Sequence, residues 1–497
     1  MSPAYEPVIG LEVHAELQTQ SKMFCTCRVI DPTDAEPNTA VCPVCAGMPG
    51  TLPVVNRMAV EFALRVALAL ECTINETSVF ARKNYFYPDL PKGYQITQYE
   101  QPLAEHGQLI IHTSSGERTI RVRRVHLEED TGKLTHMSGA TAVAMAEGSP
   151  DNTERPYTLV DLNRAGVPLL EIVSEPDMHS IEEARVYAEG LREILRYVEV
   201  NSGDMEKGVI RFEANVSVRP VGELELGKRV EIKNLNSFRA LERASAFEIE
   251  RQSKVLSDGG HVDQETLGWD DIKEQTYSQR SKEEAHDYRY FPEPDLPPLV
   301  VDPAWIDRVR LGLPELPHAK YQRFVSEYGL TEYAASRLVE SRRVADYFEQ
   351  AAGSDSVSAR SLANWIVGEL FALANLAGGS TDPLKIPPSA LAELVGLVER
   401  GEINQATGKQ VLAEMAASGK SASEIVSRDG LKQVSDADLI SRVVSEALAE
   451  NPAEVASYKA GKTGVANFLF GQAMKKVAGK ANPQLVKAEL EKQLSDR

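Results

Sequence analysis

Val8–Leu17 reads V-I-G-L-E-V-H-A-E-L, and Ile210–Arg219 reads I-R-F-E-A-N-V-S-V-R. Both alternate apolar residues with charged or amide ones. Successive side chains of a β-strand point to opposite faces. Glu12, His14 and Glu16 therefore share one face of the first segment, and Arg211, Glu213, Asn215, Ser217 and Arg219 share one face of the second. Arg229–Asn234 adds Glu231 and Lys233, and V-H-L-E-E-D adds His126, Glu128, Glu129 and Asp130. Two readings fit. One is the solvated face of an antiparallel sheet, which alternates in the same way. The other is a set of ionic rows suited to hard cations and phosphate oxygens. A single segment favours the first; the recurrence of Glu and His across four segments weakens it, yet on alternation alone the solvated face stays the safer reading.

Around these strands the pattern is α+β. Ile181–Val198 has helical periodicity, with Tyr187, Leu191, Ile194, Leu195 and Val198 on one stripe and a capping box expected from Ser180 and Glu183. A second helix is predicted from Phe238 to about Leu256, with Ser237 as its cap. Strands and helices do not alternate regularly, which argues against a parallel α/β sheet. The stretch F-P-E-P-D-L-P-P-L-V-V-D-P (Phe291–Pro303) can continue neither a helix nor a central strand and reads as a domain boundary. Beyond it the chain turns helical, at Ala319–Tyr328, Glu332–Leu338, Val344–Ala351, Ala359–Leu376 and Ser389–Glu399, with a final helical module from about Gly401.

The 497 residues carry a net charge of −19, with 42% apolar and 26% charged residues, which is ordinary for globular protein. No run of apolar residues is long enough to span a bilayer, and M-S-P-A-Y-E-P lacks the features of a secretory signal. The expectation is a cytoplasmic protein. The acidity argues against indiscriminate nucleic-acid binding, but it is uneven. From Gly401 onward there are 13 Lys and Arg against 12 Asp and Glu, and Tyr458–Lys492 holds lysines 459, 462, 475, 476, 480, 487 and 492. Such a patch can meet a phosphate backbone or simply be a solvated helix face.

Cys25 and Cys27 form C-x-C, Cys42 and Cys45 form C-x-x-C, and Cys72 stands apart. Two such knuckles can set four thiolates around a tetrahedral zinc. With no ligand position left open, the zinc would be structural. Reduced, uncoordinated thiols are the alternative, and disulfides rank last in a reducing compartment. G-K-T at Gly461–Thr463 lacks the glycine and the strand of a phosphate loop and reads as a turn, and no G-x-G-x-x-G exists. In Ala81–Gln98, three tyrosines and a phenylalanine accompany Arg82, Lys83 and Lys92; they suit either stacking on a base beside phosphate or the anchoring of a loop.

Several blocks carry a resemblance: V-I-G-L-E-V-H-A-E-L, K-N-Y-F-Y-P-D-L-P-K-G-Y-Q-I, V-H-L-E-E-D-T-G-K, L-V-D-L-N-R-A-G-V-P-L-L-E-I-V-S-E-P-D, I-K-N-L-N-S-F, Y-R-Y-F-P-E-P-D-L-P-P-L and the terminal block Gly471–Leu485. In this order they resemble the B-subunit family of the tRNA-dependent amidotransferases, across essentially the whole chain. The resemblance implies a glutamine-synthetase-like antiparallel-sheet catalytic domain (1–294), a helical domain (295–404) and a tRNA-holding tail domain (405–497). It implies that ATP activates the side-chain carboxylate of Glu-tRNA(Gln) or Asp-tRNA(Asn) as an acyl phosphate. Ammonia from a glutaminase A subunit then displaces the phosphate, and a small C subunit completes a heterotrimer. Carried over by resemblance, Glu12, His14, Glu128, Glu129, Glu213 and Glu231 form the Mg2+ site, with Glu129, Glu213 and Lys83 catalytic and Lys83 and Arg211 contacting phosphate. Strand alternation sends Glu128 and Glu129 to opposite faces, and Glu129 is the one favoured for the metal. The chain departs from the family at Glu213 and Ser202, where Asp is common, with Asp204 near the latter; the four cysteines occur in only part of the family. The competing readings are a free-standing glutamine-synthetase-type ligase and a non-catalytic tRNA-binding scaffold.

Overall fold

The computed structural model describes residues 5–31, 35–137, 157–281, 288–353, 357–376, 386–432, 437–477 and 481–495. The chain forms two compact units, one ending at His318 and one starting at Ala319.

The first unit is built on a twelve-stranded sheet. Its main strands are β1 (Tyr5–Glu16), β2 (Phe80–Asn84), β3 (Tyr94–Gln98), β4 (Gly116–Glu129), β5 (Pro168–Ser174), β6 (Ile210–Pro220), β7 (Val230–Leu235), β8 (Glu265–Asp270) and β9 (Gln275–Ser281). Their order is β9-β8-β7-β6-β1-β5-β4-β3-β2, ending on Phe291–Pro292. The two quoted segments lie side by side as β1 and β6, antiparallel, with Glu12 opposite Glu213 and His14 opposite Arg211. β5 flanks β1 on its other edge, setting Glu171 opposite His14.

The sheet is antiparallel apart from one pair. β7 and β8 run parallel, because the helix α3 (Phe238–Ser257) carries the chain back to the starting end of the sheet, as a parallel neighbour requires. The fold is α+β, and the expectation of a wholly antiparallel sheet is corrected at this pair. Three helices, α1 (Arg57–Ala69), α2 (Ile181–Tyr197) and α3, carry buried faces that join the apolar strand faces in one core with Ile9, Leu11, Val13, Leu170, Ile172, Phe212 and Ala214. Ser237 caps α3 through the Ala240 amide. Ser180 caps α2 through the Glu183 amide, but the expected capping box is incomplete: Glu183 accepts instead from the His179 amide, one residue earlier, at 2.6 Å.

The proline-rich stretch does not end the first unit. Leu299–Val300 pair with Thr77–Ser78, and Val301 and Val309 are buried in the first core. The prolines make short edge pairings without requiring ladder donors. The second unit is helical over its described residues. One of its cores runs from Phe324 to Val426, and another joins the helices Ala437–Glu450, Ala466–Lys476 and Pro483–Ser495 through residues such as Val444, Leu469 and Leu490. The helix expected over Ala359–Leu376 is interrupted by a π-helical turn at Ile366–Leu370. No helix among the described residues is long and apolar enough to cross a membrane.

Candidate active site

The polar faces of β7, β6, β1, β5 and β4 form one continuous surface, because the register aligns their ionisable residues. Glu12, Glu213 and Glu231 bring carboxylate oxygens within 4.8 Å of one another, and a second group joins His14, Glu128 and Glu171. Lys233 Nζ lies 2.7 Å from Glu213 and 3.4 Å from Glu231. His14 Nε2 is 3.6 Å from Glu171 and 3.8 Å from Glu128, and His126 Nε2 is 3.2 Å from Glu171.

The two groups are electrostatically distinct. Burial, then the charges of Glu171, Glu213 and Glu231, raise the Glu12 carboxyl above its ordinary range. Burial and Glu171 do the same to Glu128. Burial opposes ionisation of Glu171 as well, but His126 and His14 overcome it and hold that carboxyl well below the usual range. Burial would lower His14; its hydrogen bond and proximity to Glu171 instead raise it to about 9. Burial likewise opposes the Lys83 ammonium, while Tyr290, Glu128, Tyr85 and Glu171 raise it well above its ordinary value. Three carboxylates converging on one point stay ionised together only with cationic charge among them. Lys233 supplies part of that charge. The orphaned, buried Asn215 Oδ1, on the residue whose Nδ2 donates to Glu12 at 2.9 Å, offers another oxygen beside the cluster. This all-oxygen set suits a hard divalent cation.

Glu12, His14, Glu128, Glu213 and Glu231 are thus brought together on one face, but Glu129 is not with them. Its Oε1 accepts from the Ile96 amide at 2.9 Å and is ion-paired with Lys92, on the opposite face. The alternation argument separates the two glutamates correctly; it is Glu128 that faces the cluster. Arg211 is already engaged, by Asp130 at 3.0 Å and Glu16 at 3.6 Å. Glu16, on the same face of β1 as Glu12 and His14, is drawn into this network; burial and Asp130 raise its carboxyl to about 8. Glu171 and His126 are visible in the sequence as polar residues on strands, but no spacing within their own segments marks them as partners of His14. Only the register across β1, β5 and β4 does so.

The four knuckle cysteines gather, with Cys45 Sγ 3.8 Å from Cys42 and 4.0 Å from Cys27. Zinc–sulfur bonds of about 2.3 Å in a tetrahedron imply sulfur spacings of about 3.8 Å, so the residues could hold such an ion. The fully buried Lys22 sets its Nζ 3.7 Å from Cys45 Sγ and 3.2 Å from the Leu162 carbonyl. In the tail, Lys476 pairs with Glu450 at 2.7 Å and Lys492 with Glu489 at 3.9 Å, which partly neutralises the basic stretch; Lys480 lies outside the described residues.

Comparison with known proteins decides the relationship. The family model described as "GatB/GatE catalytic domain" matches residues 7–307, and that described as "GatB domain" matches residues 346–494. The chain belongs to the GatB family. It is 52% identical to the B subunit of the aspartyl/glutamyl-tRNA(Asn/Gln) amidotransferase of Myxococcus xanthus, over 99% of both chains. It is 50% identical to the protein of the same name from Moorella thermoacetica, over 99% of this chain and 100% of the relative. The Persephonella marina protein of that name is 49% identical, over 99% of each. The match is to the whole length of these relatives, in both units.

Proposed function

We infer that this chain is the B subunit of a tRNA-dependent amidotransferase, the activating and amidating component that takes Glu-tRNA(Gln), Asp-tRNA(Asn) or both. The observation that carries the reading is the convergence of Glu12, Glu213 and Glu231 beside His14, Glu128 and Glu171 on one sheet face. It occurs in a chain that matches full-length relatives of that name. A carboxylate is a poor electrophile, so the amino acid's side chain is first phosphorylated by ATP and then attacked by ammonia. Phosphoryl transfer depends mainly on positioning and on neutralising phosphate charge. Bound Mg2+ would supply that neutralisation, held by Glu12, Glu213 and Glu231, with His14 and Glu128 adjoining. Lys83, whose ammonium stays charged, pairs with phosphate from strand β2, one strand beyond β3. Ammonia comes from glutamine hydrolysed by an A subunit, with a C subunit completing a heterotrimer in the cytoplasm.

The sheet belongs on this reading to a glutamine-synthetase-like catalytic domain, followed by a helical domain and a tRNA-holding tail with its lysines. The knuckle would hold a structural zinc, as Cys25, Cys27, Cys42 and Cys45 leave no ligand position for substrate. The test is ATP-dependent formation of amidated tRNA by the reconstituted complex. Glu213→Gln and Glu128→Gln should each bind tRNA normally yet lose product formation by roughly 100-fold or more, the scale of a lost electrostatic contact to the transition state. A scaffold with merely solvated carboxylates would leave the rate unchanged, and a free-standing ligase would act without aminoacyl-tRNA; either result rejects the reading.

A further inference from the structure

Arg124 lies on β4, two residues before His126 and four before Glu128. Upstream in the same strand, Ile120 and Val122 face the core. Uninterrupted alternation would send Arg124 to that same apolar side. It does not go there, because the register between β4 and β5 shifts: Val173 is opposite Arg124, but Ser174 is opposite Val122. After the shift Val125 and Leu127 are the core residues, and Arg124 comes into phase with His126 and Glu128. A bulge beside a site commonly re-aims one side chain in this way.

The re-aimed guanidinium has no carboxylate partner among the described residues, and its buried Nε has no hydrogen-bond acceptor. Its cross-strand neighbour Glu105 accepts from Asn75 Nδ2 at 3.2 Å instead. The Arg124 Cζ lies 5.7 Å over the Tyr99 ring. Tyr99 stacks on Tyr290 at 4.0 Å, and Tyr290 packs against Tyr288 at 6.0 Å. Lys83 Nζ lies 5.1 Å over Tyr288. Two cations, one on β4 and one on β2, thus flank a wall of tyrosines, and Lys83 also feels the charges of Glu128 and Glu171. A buried donor left without an acceptor costs free energy unless a ligand completes it, and a guanidinium's rigid fork suits phosphate oxygens.

We propose that Arg124 is a phosphate-binding residue that grips the triphosphate of the nucleotide together with Lys83. The role expected of Arg211 passes to it, since Arg211 is spent on Asp130 and Glu16. This rests on the reading of the site as an ATP-dependent one.

The experiment measures binding of the β,γ-imido analogue of ATP, with Mg2+, to the assembled amidotransferase, together with KM for ATP and for aminoacyl-tRNA. Arg124→Met should weaken analogue binding and raise the KM for ATP by roughly 10- to 100-fold, the scale of a lost charged hydrogen bond. The KM for tRNA and the hydrolysis of glutamine by the partner should stay unchanged, and Arg124→Lys should recover part of the affinity. Should Arg124→Met fail to fold, Arg124→Gln, which keeps a hydrogen-bond donor without the charge, carries the same expectation. Unchanged nucleotide affinity overturns the proposal, and so does a rise confined to the KM for tRNA, which would make the bound phosphate that of the nucleic acid. Lys83→Met separates the two levels. If it abolishes ATP-dependent amidation while the Arg124 variants bind nucleotide normally, Arg124 alone is misassigned. If neither residue matters to ATP use, the reading of the site fails with it.

Discussion

Adjacent glutamates on β4 show how finely strand parity divides roles. Burial, and then the charge of Glu171, raise the Glu128 carboxyl against the pull of Lys83, His14 and His126. Glu129, one peptide bond away, is tied to Lys92 and the Ile96 amide. Replacing each with Gln should therefore have opposite signatures. Glu129→Gln leaves the partly buried Lys92 ammonium without its carboxylate and should cost roughly 1–3 kcal/mol of stability in chemical denaturation. Glu128→Gln removes a carboxylate whose ionisation burial and Glu171 oppose, and should leave stability unchanged or improved while activity is lost. If denaturation curves show the two variants equally destabilised, the division between the faces is wrong. From sequence, parity separates the pair, but it does not say which face carries the site; that depends on the side of the sheet that α1, α2 and α3 cover. Glu171 illustrates the same limit, since an isolated carboxylate in P-L-L-E-I-V-S becomes meaningful only opposite His14.

At the scale of elements, the cysteines divide as their spacing suggests. Four meet in the knuckle, and Cys72 is buried just after α1. Burial raises the Cys72 thiol from its ordinary 9.0 to about 12. The folded protein then holds this proton more tightly than the unfolded chain does. The associated stabilisation is complete below pH 9 and is lost as pH rises from 9 toward 12. At a pH of about 8, below both values, Cys72 should resist iodoacetamide until denaturant is added. Cys25, Cys27 and Cys42, each partly exposed, should be labelled in native protein once a chelator is present. Mass spectrometry that finds Cys72 alkylated in the native state would contradict this placement. The helices are legible in the sequence because capping residues and apolar stripes are local signals: Ser180 and Ser237 start α2 and α3 as their sequences indicate. The parallel β7–β8 pair is not, because each strand alone has the same period in either direction.

For the molecule as a whole, apolar packing and not composition sets the divisions. Phe291–Pro303 breaks regular structure, as its prolines require, yet Val301 and Val309 still belong to the first core. Similarly, a tail beginning near residue 405 would take Val411, Leu412, Met415, Ile425 and Val426 out of a core that also contains Leu391 and Leu394. Deletion from residue 405 should therefore destabilise what remains, with each lost large side chain worth about 2–5 kcal/mol. Deletion from residue 437 removes only a separately packed set of helices. It should leave a cooperative thermal transition in the rest and glutamine hydrolysis by the partner, while weakening tRNA binding in filter-binding or gel-shift titrations. Equal damage from both deletions would argue that the two cores do not fold apart. Composition could reveal the shift from strands to helices, but core membership depends on contacts between segments far apart in the chain.

Gly47, in the knuckle, has a positive φ of 68°, and a Cβ there would come within 2.9 Å of the Lys92 backbone nitrogen. Lys92 in turn is ion-paired with Glu129, whose neighbour on the strand is Glu128. The cysteine loop is thus braced, through one lysine and one carboxylate, against the back of the strand whose front holds the acidic cluster. An ion held by the four cysteines would, through that brace, add stiffness to the strand that carries Glu128. The knuckle's purpose is then read best as stiffness delivered across the thickness of a single strand.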